Sequence, residues 1–290
     1  MSLTSFVSIP EVRRRFRDEF PSPPFPSGDK PAAPPLTSRH RLVATAFDYL
    51  LRFYVKRLNP DAKTSRWTVD RMPNVLASKV FLAQTSRRAP RVQQALEMRY
   101  SDTERILSEA NEAYARYLNA GRIDARLLRS VVSLAQIDPF YESTQGEYVR
   151  QRISQRDIRD LRALISLVDR ELFKAKRVAV INPTFRFHIY GGAVADLLID
   201  DLLIEIKTTA ELKVRRHYYN QLLGYYTLAA LDGIEGLRRQ HRIQRLGIYF
   251  SRFGKLWLVN VKDVVNPNSF PAFAKWFEAT AYEEGRWDGL

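Results

Sequence analysis

The stretch "ADLLIDDLLIEIKTT", Ala195 to Thr209, decides how this chain is read. Its leucines and isoleucines read as buried sheet, yet Asp196, Glu205 and Lys207 interrupt the apolar run. With Asp200–Asp201 as the tip of a hairpin, Ile199 faces Leu202, Leu198 faces Leu203 and Asp196 faces Glu205. A four-residue loop on the same centre keeps that register, whereas a loop of three or five residues slips it by one. Period-two alternation then places Asp196, Glu205 and Lys207 on one face. Leu197, Ile199, Leu202, Ile204 and Ile206 point to the other face, into the core. Two carboxylates directly opposite on a ladder lie about 4.5–5.5 Å apart at Cβ, which destabilises the pair unless positive charge intervenes. A divalent cation supplies such charge, and hard oxygen donors suit Mg²⁺ or Mn²⁺. Lys207 would then orient an attacking water or stabilise charge developing on a phosphate. Taken alone, the segment also fits solvated Glu205 and Lys207 on the open face of an edge hairpin.

Outward from the hairpin, the C-terminal half alternates strands and helices. "RVAVINPTFRFHIY" (Arg177–Tyr190) is rich in β-branched and aromatic residues and reads as a strand, ended by Gly191–Gly192. "RRHYYNQLLGYYTLAALDG" reads as a helix ending near Gly233. "RLGIYFSRFGKLWLVNV" reads as two strands around Phe253–Gly254, and "PAFAKWFEATAYEEG" as a last amphipathic helix. The class is therefore α/β, with a mixed sheet between helices. Towards the N-terminus, "RLVATAFDYLLRFYVKRL" carries apolar pairs at Leu42/Val43, Ala46/Phe47, Leu50/Leu51 and Tyr54/Val55, one buried helical stripe. The pattern stays helical from Thr68 to Glu171. Residues Pro21–Pro35 hold seven of the fifteen prolines and read as an extended linker. The expected organisation is an arm over 1–20, a linker over 21–37, a helical region over 38–175 and a sheet-bearing core over 176–290.

Lys plus Arg number 46 against 32 Asp plus Glu, a formal charge of +14, which favours a polyanionic partner, most simply nucleic acid. Basic segments at Val12–Arg17, Ser86–Arg91, Arg215–Arg216 and Leu237–Arg245 together read as a phosphate track. The absence of cysteine excludes disulfides, zinc–thiolate sites and iron–sulfur clusters. No apolar run approaches the roughly 20 residues that cross a bilayer. The first residues lack an apolar segment ahead of a cleavage site, so the cytoplasm is the expected compartment and no membrane partner is expected.

In order along the chain stand Asp196, then "EIK" at Glu205–Lys207, then "QLLGY" at Gln221–Tyr225. This set resembles the PD-(D/E)XK nuclease superfamily, and within it the RecB-like branch that includes CRISPR-associated and recombination exonucleases. The resemblance covers Arg177 to about Val261 and implies a restriction-endonuclease-like core. It implies a Mg²⁺- or Mn²⁺-dependent site in which Asp196 and Glu205 hold the metal and Lys207 positions water or the transition state. Gln221 and Tyr225, four apart on one helical face, would support substrate. The backbone carbonyl of Ile206 would add a ligand. The sequence departs from the pattern in two places. Ala195 stands where the family's name has proline. Where the branch carries Gly-x-x-x-His in an early helix, Ala44 and Asp48 stand instead. Aspartate ligates Mg²⁺ as readily, which makes Asp48 a further candidate ligand, although it is also an i,i+4 partner for Arg52. His40 sits too near its helix start, and Glu147 is a weaker rival. His188 and His217 are assigned no catalytic role, and Gly191–Gly192 fit either a close nucleic-acid approach or a strand bulge.

The resulting expectation is a nuclease hydrolysing DNA phosphodiesters, in phage defence or in repair and recombination. The alternatives are an RNA endonuclease, or a non-catalytic binding or assembly subunit on the same fold. No P-loop is present in the sequence, so a helicase, ATPase or other defence-complex subunit would be a separate chain.

Overall fold

The computed structural model describes residues 2–24, 28, 30–64, 70, 72–85, 90–138, 151–185 and 193–287. In chain order the elements are α1 (Leu3–Phe6), α2 (Pro10–Glu19), α3 (His40–Leu58), β1 (Lys63–Thr64), α4 (Met72–Thr85), α5 (Pro90–Ala120) and α6 (Ala125–Ile137). They continue as α7 (Gln155–Ser166), α8 (Arg170–Phe173), β2 (Ala179–Ile181), β3 (Leu197–Ile199) and β4 (Leu202–Lys207). The last are α9 (Arg216–Asp232), β5 (Arg245–Phe250), β6 (Lys255–Asn260), α10 (Val261–Val264) and α11 (Phe270–Trp287). The chain divides into two units, one of residues Met1–Ala32, Asn59–Ser65 and Asp169–Leu290, the other of Ala33–Leu58 and Arg66–Val168.

The first unit is α/β: six strands in the order β1-β2-β3-β4-β5-β6 form one mixed sheet flanked by helices. Pairings β1–β2 and β4–β5 are parallel, and the other three are antiparallel. The β3–β4 hairpin has the register the sequence demands, Leu197↔Ile204, Leu198↔Leu203 and Ile199↔Leu202. Because β4 and β5 run parallel, a hairpin cannot join them, and α9 supplies the crossover. Both faces of the hairpin are dry: Leu197 and Leu203 are fully buried, although they sit on opposite faces. The acid-bearing face is therefore a second core face rather than an open one. Leu198, Leu203, Leu246 and Ile248 on that face pack with Leu222, Leu223 and Leu228 of α9 in one apolar cluster.

Two expectations change here. The strand expected over Arg177–Tyr190 is regular only at Ala179–Ile181, because Asn182 takes φ 55° and Pro183 has no N–H to give a ladder. Pairing resumes as single bridges, Thr184↔Val194 and Phe185↔Ile234; the rest of the expected strand, His188 included, and Gly191–Gly192 lie outside the described residues. The residues read as an arm belong to the core of the sheet unit. Leu3, Phe6, Val12, Phe16 and Phe20 are buried, with Phe16 edge-on to Phe273 at 5.1 Å and Phe20 at 4.8 Å. Glu19 accepts a hydrogen bond from Ser269 at 2.6 Å. An amphipathic helix cannot stand alone at ten residues, and this one is held by the aromatic side it buries.

The second unit is helical. The α3 stripe differs from the four expected pairs by adding Tyr49 and Phe53 to the buried set and leaving Tyr54 half-buried. It packs with α6, whose Leu127, Leu128, Val131, Val132 and Leu134 are buried. Asp124 caps α6 by accepting from Leu127 N at 2.8 Å, and a reciprocal Ser154–Asp157 capping box starts α7. Buried acids are matched locally: Asp157 meets Arg39 at 2.6 Å, and Asp138 accepts from the Tyr49 hydroxyl at 2.6 Å. Among the described residues, no helix of either unit is long and apolar enough to cross a membrane.

Candidate active site

Strand β4 delivers the site. Its burial runs from complete at Leu202–Glu205 to partial at Ile206 and Lys207, so the polar residues meet solvent at its C-terminal end. Glu205 is only 5% exposed, under α9 and beside Ile248 of β5. Asp196 directly precedes β3, and continuing the ladder register by one step sets it opposite Glu205. Asp196 Oδ2 accepts the Ile206 N–H at 2.7 Å. A strand residue sends its N–H and C=O to the same edge, so the Ile206 carbonyl also leaves on the Asp196 side. The Lys207 carbonyl turns the other way, to Ser251 N at 3.1 Å.

Lys207 Nζ donates to Glu205 Oε1 at 2.8 Å and to Gln221 Oε1 at 3.2 Å, and lies 4.8 Å from the centre of the Tyr218 ring. Burial alone would lower the Lys207 pKa, but the Glu205 and Asp196 carboxylates outweigh it and leave the ammonium above its ordinary value. The positive charge that the facing acids require is thus partly met from within β4.

Gln221 continues the chain of contacts. Its Nε2 donates to the Tyr225 hydroxyl at 3.3 Å and to Thr4 Oγ1 at 3.2 Å. Tyr225 is 6% exposed and its ring stacks on Phe185 at 5.5 Å. Burial first, then the Glu205 and Asp196 charges, push its phenol well above the ordinary value, so it stays protonated. Buried in this way, the Tyr225 hydroxyl meets the Gln221 amide from the core side of α9. Spacings of three and four put Tyr218, Gln221 and Tyr225 on one face of α9, over the site.

The structure therefore brings together Asp196, Glu205, Ile206, Lys207, Gln221 and Tyr225. Asp48 belongs to the helical unit, where its carboxylate pairs with Arg52 at 2.6 Å. Glu147 lies outside the described residues. Among the described residues, no three His, Cys, Asp or Glu side chains converge as a metal-holding group. The side-chain oxygens on offer at the end of β4 are those of Asp196 and Glu205, joined by the Ile206 carbonyl, a hard donor set suited to Mg²⁺ or Mn²⁺.

His217, at the front of α9, is edge-on to Tyr218, and burial, then Lys207 and Arg215, lower its pKa. Two participants escaped the sequence reading. Tyr218 had a local signal in its spacing to Gln221. Thr4 had none, being 217 residues from its partner.

The basic segments are partly spent on structure. Arg216 donates to the carbonyls of Phe16 and Phe20 at 2.7 and 3.0 Å and to Asn220 at 2.8 Å, closing the end of α2. Arg245 grips Asp201 with two bonds, at 2.6 and 3.1 Å. Arg13, Arg14 and Arg17 on α2, and Arg238, remain exposed. Comparison of the chain with protein-family models, with curated proteins and with solved structures finds no match.

Proposed function

We propose that this protein is a metal-dependent nuclease of the RecB-like PD-(D/E)XK type, hydrolysing DNA phosphodiester bonds. The observation that carries the reading is the continuous line Glu205–Lys207–Gln221–Tyr225 from the end of β4 to α9, with the Asp196 carboxylate on the Ile206 N–H beside it. Asp196, Glu205 and the Ile206 carbonyl would hold Mg²⁺ or Mn²⁺. Such a cation, when bound, supplies Lewis-acid polarisation of a phosphoryl oxygen and a more acidic water. Lys207 keeps a full positive charge beside the carboxylates, where it stabilises negative charge building on the phosphoryl oxygens. Gln221 holds that ammonium from one side and Glu205 from the other, so the charge is in place before substrate arrives. Tyr225 secures Gln221 from beneath. The exposed arginines of α2 offer sequence-independent contacts to the phosphate backbone.

The test is incubation of the purified chain with linear DNA, closed circular DNA and RNA, in Mg²⁺, Mn²⁺ or EDTA. DNA cleavage that needs metal is the expected result, and cutting of closed circles identifies endonucleolytic attack. Lys207→Ala should lower cleavage by about 100-fold or more while DNA binding persists. Since the change strips Glu205 of its ion-pair partner, circular dichroism must show the variant folded. Cleavage by a folded Lys207→Ala at the parental rate would remove this site from the reaction. Cleavage of RNA alone would transfer the reading to an RNA endonuclease, and tight binding with no cleavage would favour a non-catalytic subunit.

A further inference from the structure

We infer that Thr4 is a positioning residue of this site: its hydroxyl anchors the Gln221 amide and, through it, the Lys207 ammonium. The catalytic consequence rests on the nuclease reading above. An ammonium has three donors and no acceptor, so only the amide oxygen of Gln221 can meet Lys207. The two amide protons must then find acceptors on the far side. The Tyr225 hydroxyl at 3.3 Å takes one and Thr4 Oγ1 at 3.2 Å takes the other. Tyr225 rides on the same helix as Gln221, so it follows any shift of α9. Thr4 comes from a different element and fixes the amide against the body of the unit.

Segment α1 is rigid enough to do this. Leu3 and Phe6, on either side of Thr4, are 3% and 0% exposed. Ser2 caps the turn by accepting from Ser5 N at 3.1 Å, and the Ser8 hydroxyl donates to the Thr4 carbonyl at 2.7 Å. Phe6 packs edge-on to Phe277 at 5.2 Å. Gly224 of α9 lets α1 come close, since a Cβ there would stand 3.1 Å from Leu3 Cδ1. Thr4 is itself exposed and belongs to no core cluster, which separates its role from that of its neighbours.

The test compares Thr4→Val, which keeps the shape and loses the hydroxyl, with Thr4→Ser, which restores it. Initial rates on linear DNA give kcat and KM, and the ¹⁵N-resolved side-chain amide of Gln221 reports the anchor directly. Expected for Thr4→Val is a fall of about three- to tenfold in kcat, the worth of one neutral hydrogen bond, with KM within about twofold. The Gln221 amide protons should exchange faster with water in that variant. Thr4→Ser should return both readouts to the parental range. An unmoved Gln221 amide in Thr4→Val overturns the inference whatever the rates show. So does parental kcat in that variant, or a Thr4→Ser variant as slow as Thr4→Val. If the parent cleaves no nucleic acid, the nuclease reading fails, and the amide readout alone decides whether Thr4 holds Gln221.

Discussion

At Glu205 the chain buries a carboxylate and answers it with the ammonium of Lys207, 2.8 Å away. Taking both charges out of water costs several kcal/mol each, and their attraction offsets that only with further hydrogen bonds, such as the one Gln221 Oε1 accepts from Lys207 at 3.2 Å. A divalent cation on Asp196 and Glu205 would add to this balance by binding the folded state preferentially. Ligand at about 100 times its dissociation constant stabilises a fold by about 2.7 kcal/mol. Mg²⁺ or Mn²⁺ should accordingly raise the melting temperature of the parent. Glu205→Gln removes one charged donor while keeping the shape, and it should lose most of that rise. Its metal-free form should also melt below the metal-free parent, because Lys207 is left with a weaker, neutral acceptor. Scanning calorimetry in Mg²⁺ and in EDTA gives both quantities, and equal metal-induced shifts in parent and variant would defeat the shared-metal reading.

At the scale of elements, the β3–β4 turn shows why four acids sit so near one another in sequence. Asp196 and Glu205 face the site, whereas Asp200 and Asp201 hold the hairpin's other end. Asp200 takes φ 55°, a left-handed conformation that aspartate tolerates better than most residues. Its carboxylate accepts the backbone N–H groups of Arg177, Lys176 and Val178 at 2.7–3.0 Å, which fastens the turn to the entry of β2. Burial alone would raise its pKa, but these N–H donors together lower it; for Asp201 the Arg245 guanidinium is the main cause of lowering. A carboxylate with a depressed folded-state pKa contributes stability above its unfolded value, near 3.9, and loses it as pH falls through the folded value. The unfolding free energy should therefore drop as pH falls below about 4. Asp200→Asn should show a shallower drop in urea titrations at pH 6, 4 and 3, and identical slopes would exclude Asp200 from the effect. The hairpin was legible because period-two alternation and a two-residue tip leave a single register. Helix α9 was legible from its spacing and from Gly233, which ends it at φ 81°. The shortening of β2 was not, since whether Asn182–Pro183 breaks a strand depends on what pairs with it. That Tyr225 lies beneath Gln221 and away from solvent was equally hidden, because a shared helical face does not reveal its depth.

For the molecule as a whole, the charge of +14 is the broadest prediction, and the structure narrows it. Arg216 and Arg245 are engaged in bonds within the sheet unit, so phosphate contacts would fall to the arginines left exposed, with Arg13, Arg14 and Arg17 together on α2. Three such contacts alone give a slope of log affinity against log salt of about −2.7 on duplex DNA. The measured slope should be at least that steep, and Arg13, Arg14 and Arg17 changed together to Ala should flatten it by about the same amount. A flat response in the parent would assign the basic surface to something other than nucleic acid. The division of the chain was the least legible level: a proline-rich stretch after a short basic helix looks like a tether, and nothing local in "IPEVRRRF" says where Phe16 will be buried. That burial has a consequence for assembly in time. Phe16 and Phe20 are joined to Phe273, and Glu19 to Ser269, across some 250 residues. At about 5–20 residues per second, translation leaves the apolar side of α2 waiting about 10–50 s for those partners. Contacts of such long range also slow folding on their own account. A nascent chain of this protein therefore carries the apolar side of α2 without its partners until α11 is made, with Arg13, Arg14 and Arg17 on the exposed side of the same helix.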